Sequence, residues 1–137
     1  MKTEGILHIT ISVTDVDRAK AFYEDILGFE TYHMNPRGTM CFMNAGKDVI
    51  VLTSMPGHVS PNPDGLDVHG TLFHHAFIVG HDEYDRVMAH FAANHIPVYV
   101  CDEINHSAVP GFRHAYVKDP DSNAIEIAGR IPEEAAP

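Results

Sequence analysis

The sequence predicts an α+β fold made of two βαβββ modules that close into a half-open mixed β-barrel around a central cavity. Three observations lead there. The apolar spacing alternates between a period of 2 and a period of 3.6. The same order of elements occurs twice. Breaks rich in Gly, Pro and Asn separate the pieces. The first module occupies about residues 5–54, a loop about 55–71, the second module about 72–129 and a tail 130–137.

The first strand is expected around residues 6–13, where His8, Thr10 and Ser12 share one face and Ile9, Ile11 and Val13 the other. A helix follows over roughly 16–27, since Ala19, Phe22, Tyr23, Ile26 and Leu27 fall on one face. Asp15 or Asp17 can cap its start and Gly28 is placed to end it. Three shorter strands are expected at Phe29–His33, Met40–Asn44 and Asp48–Thr53. The second module repeats this plan: a strand at 72–79, a helix at about 83–94 with Asp82 at its start, then strands at Val98–Cys101, His114–Lys118 and Ala124–Ala128. The segment Asp119-Pro120-Asp121-Ser122-Asn123 reads as a tight hairpin turn. Each module is one amphipathic helix on one small sheet, which cannot bury both sheet faces alone. Two packed edge to edge enclose a cavity, and the polar faces of the outer strands would line it.

At 137 residues the chain is one domain long, and its apolar fraction of 45% supports a core. No apolar stretch approaches the ~18–20 residues of a membrane span. No basic-then-apolar leader opens the chain, so a cytoplasmic protein is expected. Acidic residues outnumber basic ones 19 to 9, for a formal charge of −10, which disfavours nucleic acid and anionic membranes as partners. A small-molecule substrate is the remaining expectation. Cys41 and Cys101 sit in apolar contexts without the close spacing of a redox or zinc pair and are read as reduced interior thiols.

His8, His74 and Glu126 carry the chemistry. Each lies within an apolar run, and a carboxylate there is costly to bury without a positive partner. Two imidazoles and one carboxylate converging on a divalent cation would supply one and leave coordination positions open for substrate. Repeat symmetry selects His74 over His75 as the counterpart of His8.

These residues resemble the vicinal oxygen chelate superfamily, which includes glyoxalase I, bleomycin-resistance proteins, fosfomycin-resistance thiol transferases and type I extradiol dioxygenases. The markers are Leu7-His8-Ile9-Thr10, Ala19-x-x-Phe22-Tyr23-x-x-x-Leu27-Gly28-Phe29, His74-x-Ala76-Phe77 and Asp119-Pro120-Asp121-Ser122-Asn123-x-x-Glu126, spread over about residues 5–129. The resemblance implies paired βαβββ modules, a divalent metal and often a homodimer.

The markers are shared by many reactions. Glyoxalase I normally supplies a fourth ligand from the last strand of the first module, where this chain has Val51. The remaining two His and one carboxylate match the set of non-haem Fe(II) oxygenases, so Fe(II) is favoured, with Mn, Ni, Co or Zn also compatible. Extradiol enzymes carry a Tyr about ten residues before the Glu ligand, and Tyr116 holds that place. His106 and His114 are candidates for the acid–base His of such enzymes, with His58 a further one. Thr10 matches the substrate-contacting hydroxyl of the fosfomycin-type transferases. The leading expectation is an extradiol-dioxygenase-like enzyme acting on a vicinal diol chelated to the metal. A glyoxalase-type lyase or isomerase, a thiol transferase and a non-catalytic binding protein are the alternatives.

Overall fold

The computed structural model describes residues 2–60, 62, 73–101 and 111–132, apart from the side chains of Val100 and Cys101. Most of the expected inter-module loop, His106 and residues 133–137 of the tail lie outside the described residues. The chain divides into two compact units, Met1–Ser60 and Pro61–Pro137. Among the described residues, no helix is long and apolar enough to cross a membrane.

The first unit comprises β1 (Ile9–Val13), α1 (Val16–Asp25), β2 (Glu30–Met34), β3 (Met40–Ala45) and β4 (Asp48–Ser54). Its sheet runs β1-β4-β3-β2, with β1 parallel to β4 and the other pairs antiparallel. The Asp15 carboxylate caps α1 by accepting from the Arg18 N–H at 2.9 Å. Gly28, at φ 70°, turns the chain out of the helix, a conformation that favours glycine. Val16, Ala19 and Tyr23 form the buried stripe of α1, which packs mainly on β4. Ile11, Val13, Cys41, Met43, Ile50 and Leu52 complete that core. Full burial of side chains of this size stabilises by about 1.5–3 kcal/mol each. Cys41 is a free, buried thiol, and desolvation raises its pKa.

The first strand is shorter than its sequence suggests. Pairing with β4 begins at Ile9↔Ile50, so His8 precedes the strand. Ile6 and Leu7 are 79% and 84% exposed. The apolar alternation continues upstream of Ile9, but alternation without a hydrogen-bonding neighbour does not make a strand.

The second unit comprises β5 (His74–Val79), α2 (His81–Ala93), β6 (Tyr99–Cys101), β7 (Phe112–Lys118) and β8 (Ala124–Arg130). Its sheet order, β5-β8-β7-β6, is that of the first unit, with β5 parallel to β8. Tyr84 and Phe91, two turns apart, are the buried residues of α2, which packs on β8. Here the expected cap is corrected. Gly80, extended and without a capping side chain, is the N-cap, because β5 runs to Val79 and leaves a single residue of connection. Asp82 and Glu83 fall in the first turn, where they favour the positive end of the helix dipole.

The β7–β8 turn is closed by Asp119. Its Oδ1 accepts from the backbone N–H groups of Asp121 and Asn123, both at 2.8 Å, and Oδ2 accepts from Asn123 Nδ2 at 2.8 Å. This side-chain network, with Ser122 at φ 63°, fixes the register of β7 against β8. That register brings the polar residues of the second sheet together.

Candidate functional site

Glu126 is the third residue of β8, the inner strand between β5 and β7. Its Cα partners are Ala76 on β5 and Tyr116 on β7. Two residues before Ala76 stands His74, and two before Tyr116 stands His114. Strand alternation puts all four polar side chains on one face of β5, β8 and β7. His75, of opposite parity, has its pKa lowered by burial and by its His74 neighbour.

The contacts on that face are specific. His74 Nε2 lies 2.7 Å from Glu126 Oε2. His114 Nδ1 donates to the other oxygen, Oε1. The Tyr116 ring meets His74 edge-on, with centroids 5.4 Å apart and an interplanar angle of 89°. Glu126 is only 6% exposed, and His114 and Tyr116 are each 7% exposed. A carboxylate so buried costs several kcal/mol unless its charge is compensated. The His114 N–H on Oε1 provides part of that compensation, and the His74 imidazole stands beside Oε2. Among the described residues, His114 Nε2 is buried without a hydrogen-bond partner.

The first unit has no equivalent carboxylate. Thr10 pairs with Val51 in the same register in which Ala76 pairs with Glu126, so Val51 holds the corresponding position. It is an aliphatic residue, 1% exposed. Thr10 itself is exposed on β1. Further along the strand, Ser12 Oγ lies 2.8 Å from His58 Nδ1. His58 is therefore engaged by a hydroxyl of its own unit.

Of the expected metal ligands, His74 and Glu126 are thus adjacent, while His8 belongs to the exposed segment before β1 in the other unit. Two ligand atoms on a common cation at bonds of about 2.1 Å sit roughly 3 Å apart at a right angle. The 2.7 Å between His74 Nε2 and Glu126 Oε2 is close to that edge, so this pair suits a divalent metal. Among the described residues, no group of three or more His, Cys, Asp or Glu side chains is arranged to hold one. Of the expected catalytic residues, Tyr116 and His114 border Glu126 and Thr10 lies in the first unit; His106 is outside the described residues. The sequence reading missed the His114–Glu126 bond. Its signal was parity: a residue two before the cross-strand partner of Glu126 is its diagonal neighbour on the same face.

Comparison with protein families matches residues 5–127 to the Glyoxalase/Bleomycin resistance protein/Dioxygenase superfamily. Comparison with curated proteins finds no match. Among solved structures, lactoylglutathione lyase from Agrobacterium tumefaciens is similar at 26% identity and TM-score 0.70, covering 94% of this chain and 96% of that one. A glyoxalase/dioxygenase from Nostoc punctiforme is similar at 23% identity and TM-score 0.72, covering 95% and 92%. The fosfomycin resistance protein FosX from Listeria monocytogenes shares the fold at 20% identity and TM-score 0.70, covering 93% and 92%.

Proposed function

The chain belongs to the Glyoxalase/Bleomycin resistance protein/Dioxygenase superfamily, and from that premise we propose that it is a metal-dependent enzyme of the extradiol-dioxygenase kind, acting on a vicinal diol of the catechol class. His74 and Glu126 of the second unit, with His8 of the first, are the proposed ligands. Fe(II) is the favoured ion, and a homodimer in the cytoplasm the favoured setting. A divalent metal at this position would supply Lewis acidity to a chelating pair of oxygens and, as iron, reactivity toward O₂.

The observation that carries the reading is the placement of Tyr116. It is the direct cross-strand partner of Glu126, and its ring lies edge-on to His74. A phenol fixed beside a carboxylate and an imidazole ligand suits control of a proton on a bound diol oxygen. The residues of β7 and β8 around Glu126 are buried, a setting that suits chemistry needing water held away. Thr10, exposed on the first unit, is a candidate for substrate contact, and His106 for proton transfer.

The test is O₂ consumption by iron-loaded protein with a panel of catechols. Uptake with ring-opened product supports the reading, and an iron-loaded sample that consumes no O₂ with any of them removes it. A second reading, a glyoxalase-type lyase, draws on the 26% identity to a lactoylglutathione lyase. It is opposed by Val51, whose buried isopropyl group cannot serve as a fourth ligand. Turnover of a hemithioacetal would decide for it.

A further inference from the structure

We infer that His114 is a positioning residue that makes Glu126 a one-oxygen ligand. The inference rests on the proposed role of Glu126 as a metal ligand and assigns His114 a part in that site other than proton transfer.

A free carboxylate can bind a cation through one oxygen or both. Which it does depends on what else its oxygens touch. In this protein Oε1 accepts from His114 Nδ1, while Oε2 faces His74 Nε2. The two oxygens are therefore divided between the two imidazoles, and only Oε2 lies beside the neighbouring candidate ligand. An oxygen that accepts a charge-assisted hydrogen bond in a buried setting does not give it up without leaving a buried donor unpaired.

The surroundings of His114 fix its tautomer. Nδ1 must carry a hydrogen, because its partner is a carboxylate oxygen. Nε2 is buried and, among the described residues, has no partner. A hydrogen there would be an orphaned donor, which buried sites tolerate less well than an orphaned acceptor. The ring is thus a one-way donor toward Glu126. Its N–H is committed to Oε1, so the ring serves the carboxylate and not a substrate oxygen. Residues that orient ligands in this way are typically worth 10–100-fold in metal affinity.

The two side-chain amides separate this role from a merely structural one. Asn at 114 can place an N–H near the position of Nδ1; Gln places it near that of Nε2. Co(II) alone serves as the probe, titrated into the full-length chain and followed by its visible absorption. We expect His114→Asn to bind within about threefold of the unmodified protein with the same spectrum. His114→Gln should bind about 10–100-fold more weakly, with altered band intensity as the carboxylate gains a second contact. Equal affinity and equal spectra for the Asn and Gln variants, both folded by circular dichroism, would overturn the inference. If the Gln variant fails to fold, His114→Leu with the same two readouts replaces it. Glu126→Ala is the control for the parent reading: should it bind Co(II) as the unmodified protein does, Glu126 is not a ligand. A His114 result that fails while Glu126→Ala still abolishes binding refutes the positioning role alone.

Discussion

Gly129→Ala tests the packing of the second unit. Gly129 sits on β8, paired with Val79 and Arg113. Its backbone is ordinary extended chain, so the whole penalty is steric. A Cβ there would lie 2.4 Å from Tyr84 Cδ2, 2.6 Å from Cγ and 2.7 Å from Cβ. The nearest approach falls 1.0 Å short of the 3.4 Å at which ordinary contact begins. Because Tyr84 Cβ is among the clashing atoms, turning the ring does not relieve it. The ring is also held from elsewhere: the Arg113 guanidinium stacks 4.2 Å from its centroid and bonds to Asp85 at 2.9 Å and to the His81 carbonyl at 3.0 Å. Relief therefore requires α2 to move off β8. Overpacking of this kind costs typically 1–3 kcal/mol and occasionally more, and the immovable Cβ puts this case at about 2–4 kcal/mol. For a chain of this size that lowers Tm by roughly 6–15 °C. Thermal and urea unfolding monitored by circular dichroism measure it. Adding Tyr84→Leu should recover part of the loss, giving a coupling energy of about 1–2 kcal/mol. A Gly129→Ala protein melting within 2 °C of the parent, a margin set against the scale above, would mean that α2 does not pack on β8 as described.

Three further expectations follow from the same unit. Asp119→Ala removes a carboxylate that accepts two backbone N–H groups and one amide, and should destabilise by about 2–4 kcal/mol in urea titration; an unchanged midpoint would exclude a role for that network in closing the turn. Burial raises the Asp119 pKa above its ordinary 3.8 despite opposing hydrogen bonds from Asn123 and Asp121. The folded state thus holds this proton more tightly than the unfolded chain, so the contribution is complete below 3.8 and lost as pH rises through the folded value. Asp119→Asn, a mimic of the protonated form, should therefore gain on the parent as pH increases from 3.8, and the opposite trend in the urea midpoints would refute the sign. Glu126→Ala should eliminate Co(II) binding measured by absorption, and retained binding would remove Glu126 from the ligand set.

The strands were legible because alternation with a period of 2 is a local property: β3 and β4 follow their sequence patterns to within a residue at either end. Where a boundary depends on a neighbour, the pattern misleads. Leu7 and His8 continue the alternation of β1, yet β4 supplies no partner for them. Gly80 as a cap was hidden for a related reason, since it is the tight β5–α2 connection and not a side chain that selects it. Parity located His74, Glu126 and Tyr116 on one face. The bond from His114 to Glu126 joins residues 12 apart through a register that the Asp119 turn sets, and residue type alone does not reveal it.

That turn also makes the second unit sensitive to chain length at one spot. A single-residue slip of β8 would rotate Glu126 to the side of the sheet that packs on α2 and bring Ile125 or Ile127 round beside the two imidazoles. An odd-numbered insertion or deletion between 118 and 124 that is taken up by sliding β8 turns the carboxylate off the ligand face, and an even-numbered one taken up the same way shifts it by about 7 Å along the strand. Homologous loops grafted here should therefore be chosen by count before composition.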